Sequence, residues 1–170
     1  MVRVVNAQRM VRVECRRVER LARCAIRRLR LSESGQLAIT FVSDQRMCSL
    51  NRRFLGHNRS TDVLSFRYDG EPVVGEILIA PSQARAYARA HGIAYEDELA
   101  RYVVHGLLHW MGHDDRTVMQ QQKMRMLEDQ VLNGCGWLTM RGTGHGAGGR
   151  GERKSFRFSL APRPSPLAPC

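Results

Sequence analysis

The sequence predicts an α+β domain in which a mixed, mostly four-stranded sheet packs against helices. Strand-like segments dominate the first half of the chain, and apolar residues at helical spacing dominate the second half. The 170 residues fit a single domain, and 43% hydrophobic with 25% charged residues is an ordinary composition for a chain with a buried core.

The elements are predicted in the following order. Short runs of β-branched and apolar residues predict strands at residues 2–5, 37–42, 63–66 and 76–80. Helices are predicted at residues 14–31, after Asp44 as N-cap, and at 82–91, 95–111 and 117–132. From Leu138 onward the chain is rich in glycine, then in proline, and it is basic. We therefore expect a folded domain over residues 1–137 and a disordered tail over residues 138–170.

The charge of the chain is strongly positive, at +11 with a pI of about 10.5. Such a surface suits a polyanion such as RNA, because each neutralised phosphate releases counterions. Solvated surface is the alternative interpretation, and the tail contributes six Lys/Arg against one Glu. The first helix has one basic face that either follows RNA phosphates or is merely solvated: Arg16, Arg17, Arg20, Arg23, Arg27 and Arg28.

The cysteines and the apolar segments indicate the cellular compartment of the protein. The five cysteines are irregularly spaced without a CxxC pair, which predicts neither a disulfide framework nor a thiolate zinc site. No segment approaches the roughly 20 apolar residues of a membrane helix, and arginines interrupt any apolar run near the start. We expect a cytoplasmic protein that does not enter a membrane.

The segment with the strongest chemical signal is HGLLHWMGHDD at residues 105–115. Two histidines four apart on a helix project from one face, so His105 and His109 can share a metal ion. Gly112 permits a sharp exit from the helix, after which His113, Asp114 or Asp115 can supply a third ligand. Three protein ligands with an open position are the arrangement of a catalytic zinc.

One absence in this segment narrows the chemistry. Zinc proteases carry a glutamate directly after the first histidine, where it acts as general base. Gly106 occupies that position here, which disfavours peptide hydrolysis. Surface or core histidines are the alternative to a metal site, but three His and two Asp within eleven residues favour the metal.

The segment resembles the signature of the YbeY endoribonuclease family, in which H-G-x-x-H is followed by a glycine and then by a third histidine. LNRRF at residues 50–54 and TDVLSF at 61–66 are similar to the family's L-N-x-x-Y-R and P-T-D-V-L-S-F, and GEI at 75–77 is similar to its G-D-I strand. The resemblance implies one zinc ion per chain and cleavage of single-stranded RNA. It also implies ribosomal RNA and the small ribosomal subunit as partners, in rRNA maturation and ribosome quality control.

The chain departs from the family pattern at three positions. Asp115 aligns with the third histidine, which favours His105, His109 and Asp115 as ligands and catalytic residues, with His113 as the alternative third ligand. Leu55 replaces an arginine expected to bind phosphate, which puts full activity in doubt. Ser60 replaces a proline before Thr61. The residues predicted to contact substrate, with local structural roles as the alternative, are Arg53, His57, Arg59, Thr61, Asp62 and Ser65.

Two other functions compete with an endoribonuclease. A ribosome-associated assembly factor would use zinc as a structural ion with weak or no catalysis, and Leu55 favours this alternative. A hydrolase of peptides or small molecules would have a closed and less basic cleft.

Overall fold

The computed structural model describes residues 1–31, 36–68 and 73–137, apart from the side chains of residues 73 and 74. The tail predicted at 138–170 lies outside the described residues, as does the connector at 69–72. The elements in chain order are β1 Val2–Asn6, α1 Cys15–Arg28, β2 Gln36–Phe41, α2 Asp44–Leu55, β3 Val63–Arg67, β4 Val73–Ile79, α3 Pro81–His91, α4 Tyr95–Trp110 and α5 Val118–Gly134.

The four strands form one mixed sheet in the order β1-β2-β4-β3. β1 is parallel to β2, and β2 is parallel to β4. β3 is antiparallel to β4, with Val63 opposite Ile79. The predicted α+β class with a mixed four-stranded sheet is therefore confirmed, and the helices cover both faces of the sheet.

The two faces of the sheet bury different clusters, as the alternation of side chains along a strand requires. Leu37, Ile39 and Phe41 point to one face and pack in a large core with α1, α4 and α5. On the other face, Leu64 and Leu78 join a smaller cluster with Met47 of α2 and its neighbours. Helix α4 thus packs against the sheet on one side and against other helices on its remaining sides.

Gly106 brings α4 close to the sheet. A Cβ atom at this position would lie 2.6 Å from Ile77 Cγ2 and 3.0 Å from Val63 Cγ1. Any larger side chain would therefore push the helix away from β3 and β4. The absence of the protease glutamate at this position has a steric cause here, since a side chain would point into the sheet.

One local expectation is wrong, the N-cap of helix α2. Ser43, not Asp44, is the N-cap of α2, and its hydroxyl accepts a hydrogen bond from the Arg46 backbone N–H at 3.3 Å. Asp44 instead accepts hydrogen bonds from Gln83 and Ser60, at 2.8 and 3.2 Å. Burial would raise the pKa of Asp44, but the polar side chains of Ser82, Gln83 and Ser60 outweigh it and lower that pKa. The carboxylate thus joins α2 to α3 and to the loop before β3.

The sequence predicted no disulfide framework, but the structure contains one disulfide bond that the sequence did not indicate. Cys24 of α1 and Cys135, at the end of α5, are bonded, with their Cα atoms 5.9 Å apart. The spacing of cysteines in the sequence does not reveal this pair, because 111 residues separate its members. Among the described residues, Cys15 and Cys48 are free thiols. Within the same residues, the helices are too short or too polar to span a bilayer.

Candidate metal centre

The end of helix α4 positions the candidate ligands. Gly112 adopts φ +93°, a left-handed conformation that a glycine adopts readily. The Gly112 N–H donates to the His109 carbonyl at 2.8 Å, and the His113 N–H donates to the Leu108 carbonyl at 3.0 Å. These two bonds form a Schellman motif, which stops the helix and reverses the chain. The predicted sharp exit at Gly112 is therefore present, and it carries residues 113–115 back toward the helix.

Three ligand atoms come together at this helix end. The Nε2 atoms of His105 and His109 are 2.9 Å apart. The carboxylate of Asp115 lies 3.9 Å from His105 Nε2 and 3.8 Å from His109 Nε2. Among the described residues, these three side chains form a group whose ligand atoms all lie within 4.8 Å of one another, and His113 does not belong to it.

This geometry fits a zinc ion. Zinc binds nitrogen and oxygen ligands at about 2.0–2.2 Å in tetrahedral sites, which separates neighbouring ligand atoms by about 3.3 Å. The three observed separations lie on either side of that value. One carboxylate oxygen of Asp115, Oδ1, is buried without a hydrogen-bond partner, so the group retains an unsatisfied acceptor suited to a cation.

Glu128 of α5 holds the first histidine in the orientation that metal binding needs. His105 Nδ1 lies 2.8 Å from Glu128 Oε1. Donation of the Nδ1 proton to this carboxylate leaves the Nε2 lone pair facing His109 and Asp115. Arg101 donates to the other oxygen of Glu128 at 3.0 Å and contacts Asp129 at 2.7 Å. The candidate ligand His105 is therefore supported by a chain of contacts from Arg101 through the buried Glu128.

The ionisation of the group follows from burial and these partners. Burial and the charge of His105 lower the pKa of His109 to about 3, so its imidazole is neutral and able to bind a metal. Burial alone would lower the pKa of His105, but the hydrogen bond and charge of Glu128 raise it. Burial raises the pKa of Asp115, although the charge of His105 opposes this. The pKa of Glu128 is lowered, because bonds to His105 and Arg101 outweigh its burial.

Comparison with known proteins bears on this site. The sequence model of the family described as Endoribonuclease YbeY matches residues 3–136. The chain belongs to this family. The match includes the whole candidate metal centre, from Arg101 to Asp129.

Several relatives named Endoribonuclease YbeY are similar to the chain. The one from Desulfitobacterium hafniense is 36% identical over 119 residues, which cover 63% of this chain and 76% of the relative. The one from Thermodesulfovibrio yellowstonii is 32% identical over 151 residues, covering 78% and 95% respectively. The solution structure of TM1509 from Thermotoga maritima has a TM-score of 0.54 at 24% identity and covers 88% of this chain and all of that one. This last likeness concerns the fold.

The other segment that resembles the YbeY family in sequence, residues 50–66, leads from α2 into β3. Arg53, His57 and Arg59 are exposed there, and the Arg53 guanidinium lies 5.6 Å from the Phe54 ring centroid. Helix α2 ends at Leu55, and its C-cap, Gly56, has a φ of +72°. The prediction that these three cationic side chains contact substrate stays a prediction, with accessible positions to support it.

The remaining predicted substrate residues are more enclosed. Ser65 is 2% exposed and donates to the Gly106 carbonyl at 3.0 Å, so it fastens α4 to β3. Thr61 is buried and donates to Asp62 Oδ1 at 3.1 Å. The charge of Asp62 raises the pKa of both His105 and Asp115, which brings this carboxylate into the electrostatic surroundings of the group. Substrate contact by these residues likewise stays a prediction.

Glu128 was missed by sequence reasoning, although a signal was present. The buried residues of α5 are Met124, Glu128, Val131 and Leu132, which share one helical face. An acidic residue on such an apolar face needs a buried partner. The pattern therefore predicts that Glu128 has a buried partner but not which residue it is, because the partner, His105, lies on another helix.

Proposed function

We propose that this protein is a zinc-dependent endoribonuclease that binds one zinc ion through His105, His109 and Asp115 and cleaves single-stranded RNA. The observation that supports it is the group of three ligand atoms within 4.8 Å at the end of α4, in a chain of the YbeY family. The family's relatives bear the name endoribonuclease, which indicates RNA as the substrate.

In this proposal, one group of side chains supports the metal ion and another binds the RNA. Zinc at the group supplies Lewis-acid chemistry toward water and a phosphodiester. Glu128 keeps His105 in the tautomer that presents Nε2, and the low pKa of His109 keeps this second ligand free of a proton. Arg53, His57 and Arg59 orient the RNA backbone, and Arg forks match phosphate oxygens in pairs. A carboxylate as third ligand makes the site less positive than three histidines would.

We further propose that the substrate is ribosomal RNA of the small subunit, in its maturation and quality control in the cytoplasm. The net charge of +11 supports a polyanionic partner. The proposed cytoplasmic location raises the question of whether the Cys24–Cys135 bond forms in the cell, since cytosolic thiol systems keep most cysteines reduced. Alkylating the free thiols of the protein inside living cells would show whether the bond persists there.

One observation favours a second candidate, an assembly factor with a structural zinc. Leu55 stands where the family has an arginine, and its partly buried side chain packs against the small core cluster. A phosphate contact at this position is thereby lost. The assembly-factor candidate predicts zinc binding without RNA cleavage.

The test uses four full-length proteins: wild type, His109→Ala, Asp115→Ala and His113→Ala. Each is assayed for bound zinc and for cleavage of single-stranded ribosomal RNA. We expect about one zinc per chain and cleavage in wild type and in His113→Ala, and loss of both in the other two, because they lack a ligand. Zinc without cleavage in wild type would favour the assembly factor. Loss of zinc in His113→Ala with retention in Asp115→Ala would reassign the third ligand.

A further inference from the structure

Helix α1 carries a row of arginines on its outer face. Arg16, Arg20, Arg23 and Arg27 recur at intervals of four, three and four residues, which places them along one side of the helix. All four are exposed. At 1.5 Å per residue the row extends over about 16 Å. We call these four residues the α1 arginine row.

The opposite face of α1 packs in the core of the protein. Its buried residues are Val18, Leu21, Ala22, Ala25 and Ile26, which belong to the large core. Two further arginines pack on the end of α5. The Arg17 guanidinium lies 4.1 Å from the ring centroid of Trp137, and the Arg28 guanidinium lies against Gly134. The α1 arginine row has no such packing role, because it faces away from these contacts.

The charge of the row is mostly unneutralised. Glu19 is the one acidic residue of α1, and it pairs with Arg23 at 2.7 Å. Within the part of the chain that the structure describes, no carboxylate lies at ion-pair distance from Arg16, Arg20 or Arg27. Three positive charges along one line therefore remain open to an anionic partner.

The chemistry of the row selects among anionic partners. Membrane-binding helices bury apolar side chains in the lipid, but the apolar residues of α1 already lie in the core. The row contains arginine without lysine, and arginine's planar fork matches phosphate oxygens bidentately. A line of forks fits a partner whose phosphates also follow a line, which is the backbone of a nucleic acid.

We propose that the α1 arginine row is a second RNA-contact surface, separate from the metal centre, that binds the sugar-phosphate backbone without reading its sequence. The choice of RNA rests on the proposed function. None of the three candidate metal ligands lies on α1, which packs beside α4 and α5. The row extends the RNA footprint beyond the segment that would be cut, so its contribution grows with the length of the RNA.

The test compares two triple variants of the full-length protein. Arg16→Gln/Arg20→Gln/Arg27→Gln removes three charges from the row, and Gln preserves helix propensity. The matched control, Arg89→Gln/Lys123→Gln/Arg125→Gln, removes three exposed charges from α3 and α5. Binding of a 30-nucleotide single-stranded RNA is measured in EDTA, which prevents metal-dependent cleavage, at several salt concentrations. Thermal unfolding verifies that both variants fold like wild type.

Affinity falls as salt rises, and we expect this fall to be less steep in the row variant. The magnitude of the slope of log affinity against log salt should decrease by about 2, because each lost phosphate contact on a single strand removes about 0.7. The control should shift this slope by less than half as much. Arg→Lys at the same three positions should restore the slope but only part of the affinity, since lysine supplies charge without the fork. Equal slopes for the row variant and the control would overturn the proposal, as would stronger binding of wild type to anionic vesicles than to RNA.

A cleavage assay separates this proposal from the proposed function. With zinc supplied, a five-nucleotide RNA should be cut equally by wild type and by the row variant, whereas the row variant should have a higher KM for the 30-nucleotide RNA. If wild type cuts neither RNA, the endoribonuclease function fails, and the binding slopes still decide whether the row contacts RNA. If wild type cuts both and the row variant has an unchanged KM, the second surface is refuted and the enzyme stands.

Discussion

Helices α1 and α4 lie on the same face of the sheet but expose their residues very differently. In α1, five of 14 residues are buried and the outer face carries the arginine row. In α4, 11 of 16 residues are buried, including Glu98 and His109. Arg101 of α4 is enclosed by Glu128 and Asp129, while Arg16, Arg20 and Arg27 of α1 are open to solvent.

The effect of a charge in this protein depends on whether it lies in the interior or on the surface. Around α4, charges act through short directional bonds in a poorly screened interior, where removing one partner is costly. Along α1, charges act through a field that salt screens over about 10 Å. Metal affinity should therefore change strongly when a single side chain is replaced and change little with salt. RNA affinity of the α1 arginine row should change strongly with salt and little when a single arginine is replaced.

The strongest contrast is expected at Glu128. Glu128→Gln keeps the shape but removes the charge that orients His105, so zinc affinity should fall about 10- to 100-fold. The matched control is Asp129→Asn, which removes a neighbouring charge that contacts Arg101 but no histidine. Chelator competition measures both affinities. Equal losses in the two variants would mean that overall charge, not the bond to His105, supports the metal.

Acid should weaken zinc binding more than it weakens RNA binding by α1. Burial would lower the pKa of His105, but the bond and charge of Glu128 raise it overall, so a proton competes with zinc at a higher pH than it would on an ordinary histidine. Each pH unit below that pKa should cost about tenfold in affinity, because one proton must leave for each zinc bound. Zinc titrations from pH 8 to pH 5 measure this slope. In Glu128→Gln the onset should move to lower pH, and an unmoved onset would contradict the assignment to His105.

Packing should show the same contrast between the two helices. Gly106→Ala adds a methyl group where Ile77 and Val63 are too close, so stability should fall by about 1–3 kcal/mol. Helix propensity alone predicts the opposite sign. Arg20→Ala on the exposed face of α1 should change stability by less than about 0.5 kcal/mol. Urea unfolding measures both, and a stabilised Gly106→Ala protein would show that α4 can move off the sheet.

The smallest effect is expected at the one ion pair of the row. Glu19→Gln breaks the exposed pair with Arg23, which is worth about 0.3–0.5 kcal/mol for neighbours four apart on a helix. Repeating the urea unfolding in 1 M salt should remove even this difference, because the pair is screened. A larger, salt-independent loss would mean that Glu19 has a structural role beyond the pair.

Local patterns in the sequence predicted the elements and the histidine pair well. The spacing of His105 and His109 places both on one helical face, and Gly112 predicts the reversal, because these features depend on residues close in sequence. The choice of Asp115 over His113 came from the family pattern, and the geometry supports it.

Features that depend on how helices dock were harder to predict. Glu128 meets His105 across 23 residues of sequence, and this contact exists only once α5 packs on α4. The Cys24–Cys135 pair depends on α1 and α5 ending side by side. The Ser43 cap was missed for a simpler reason, since Ser43 and Asp44 are adjacent and both are good N-cap residues.

The bond between Cys24 and Cys135 changes the connectivity of the molecule. It closes a covalent ring that contains β2, β3, β4, α2, α3, α4 and all of α5, and with them every candidate metal ligand. A protease that cuts any single peptide bond inside this ring produces no separate fragment until a reductant is added. On a denaturing gel, such a nicked chain would migrate as one species without reductant and as two with it.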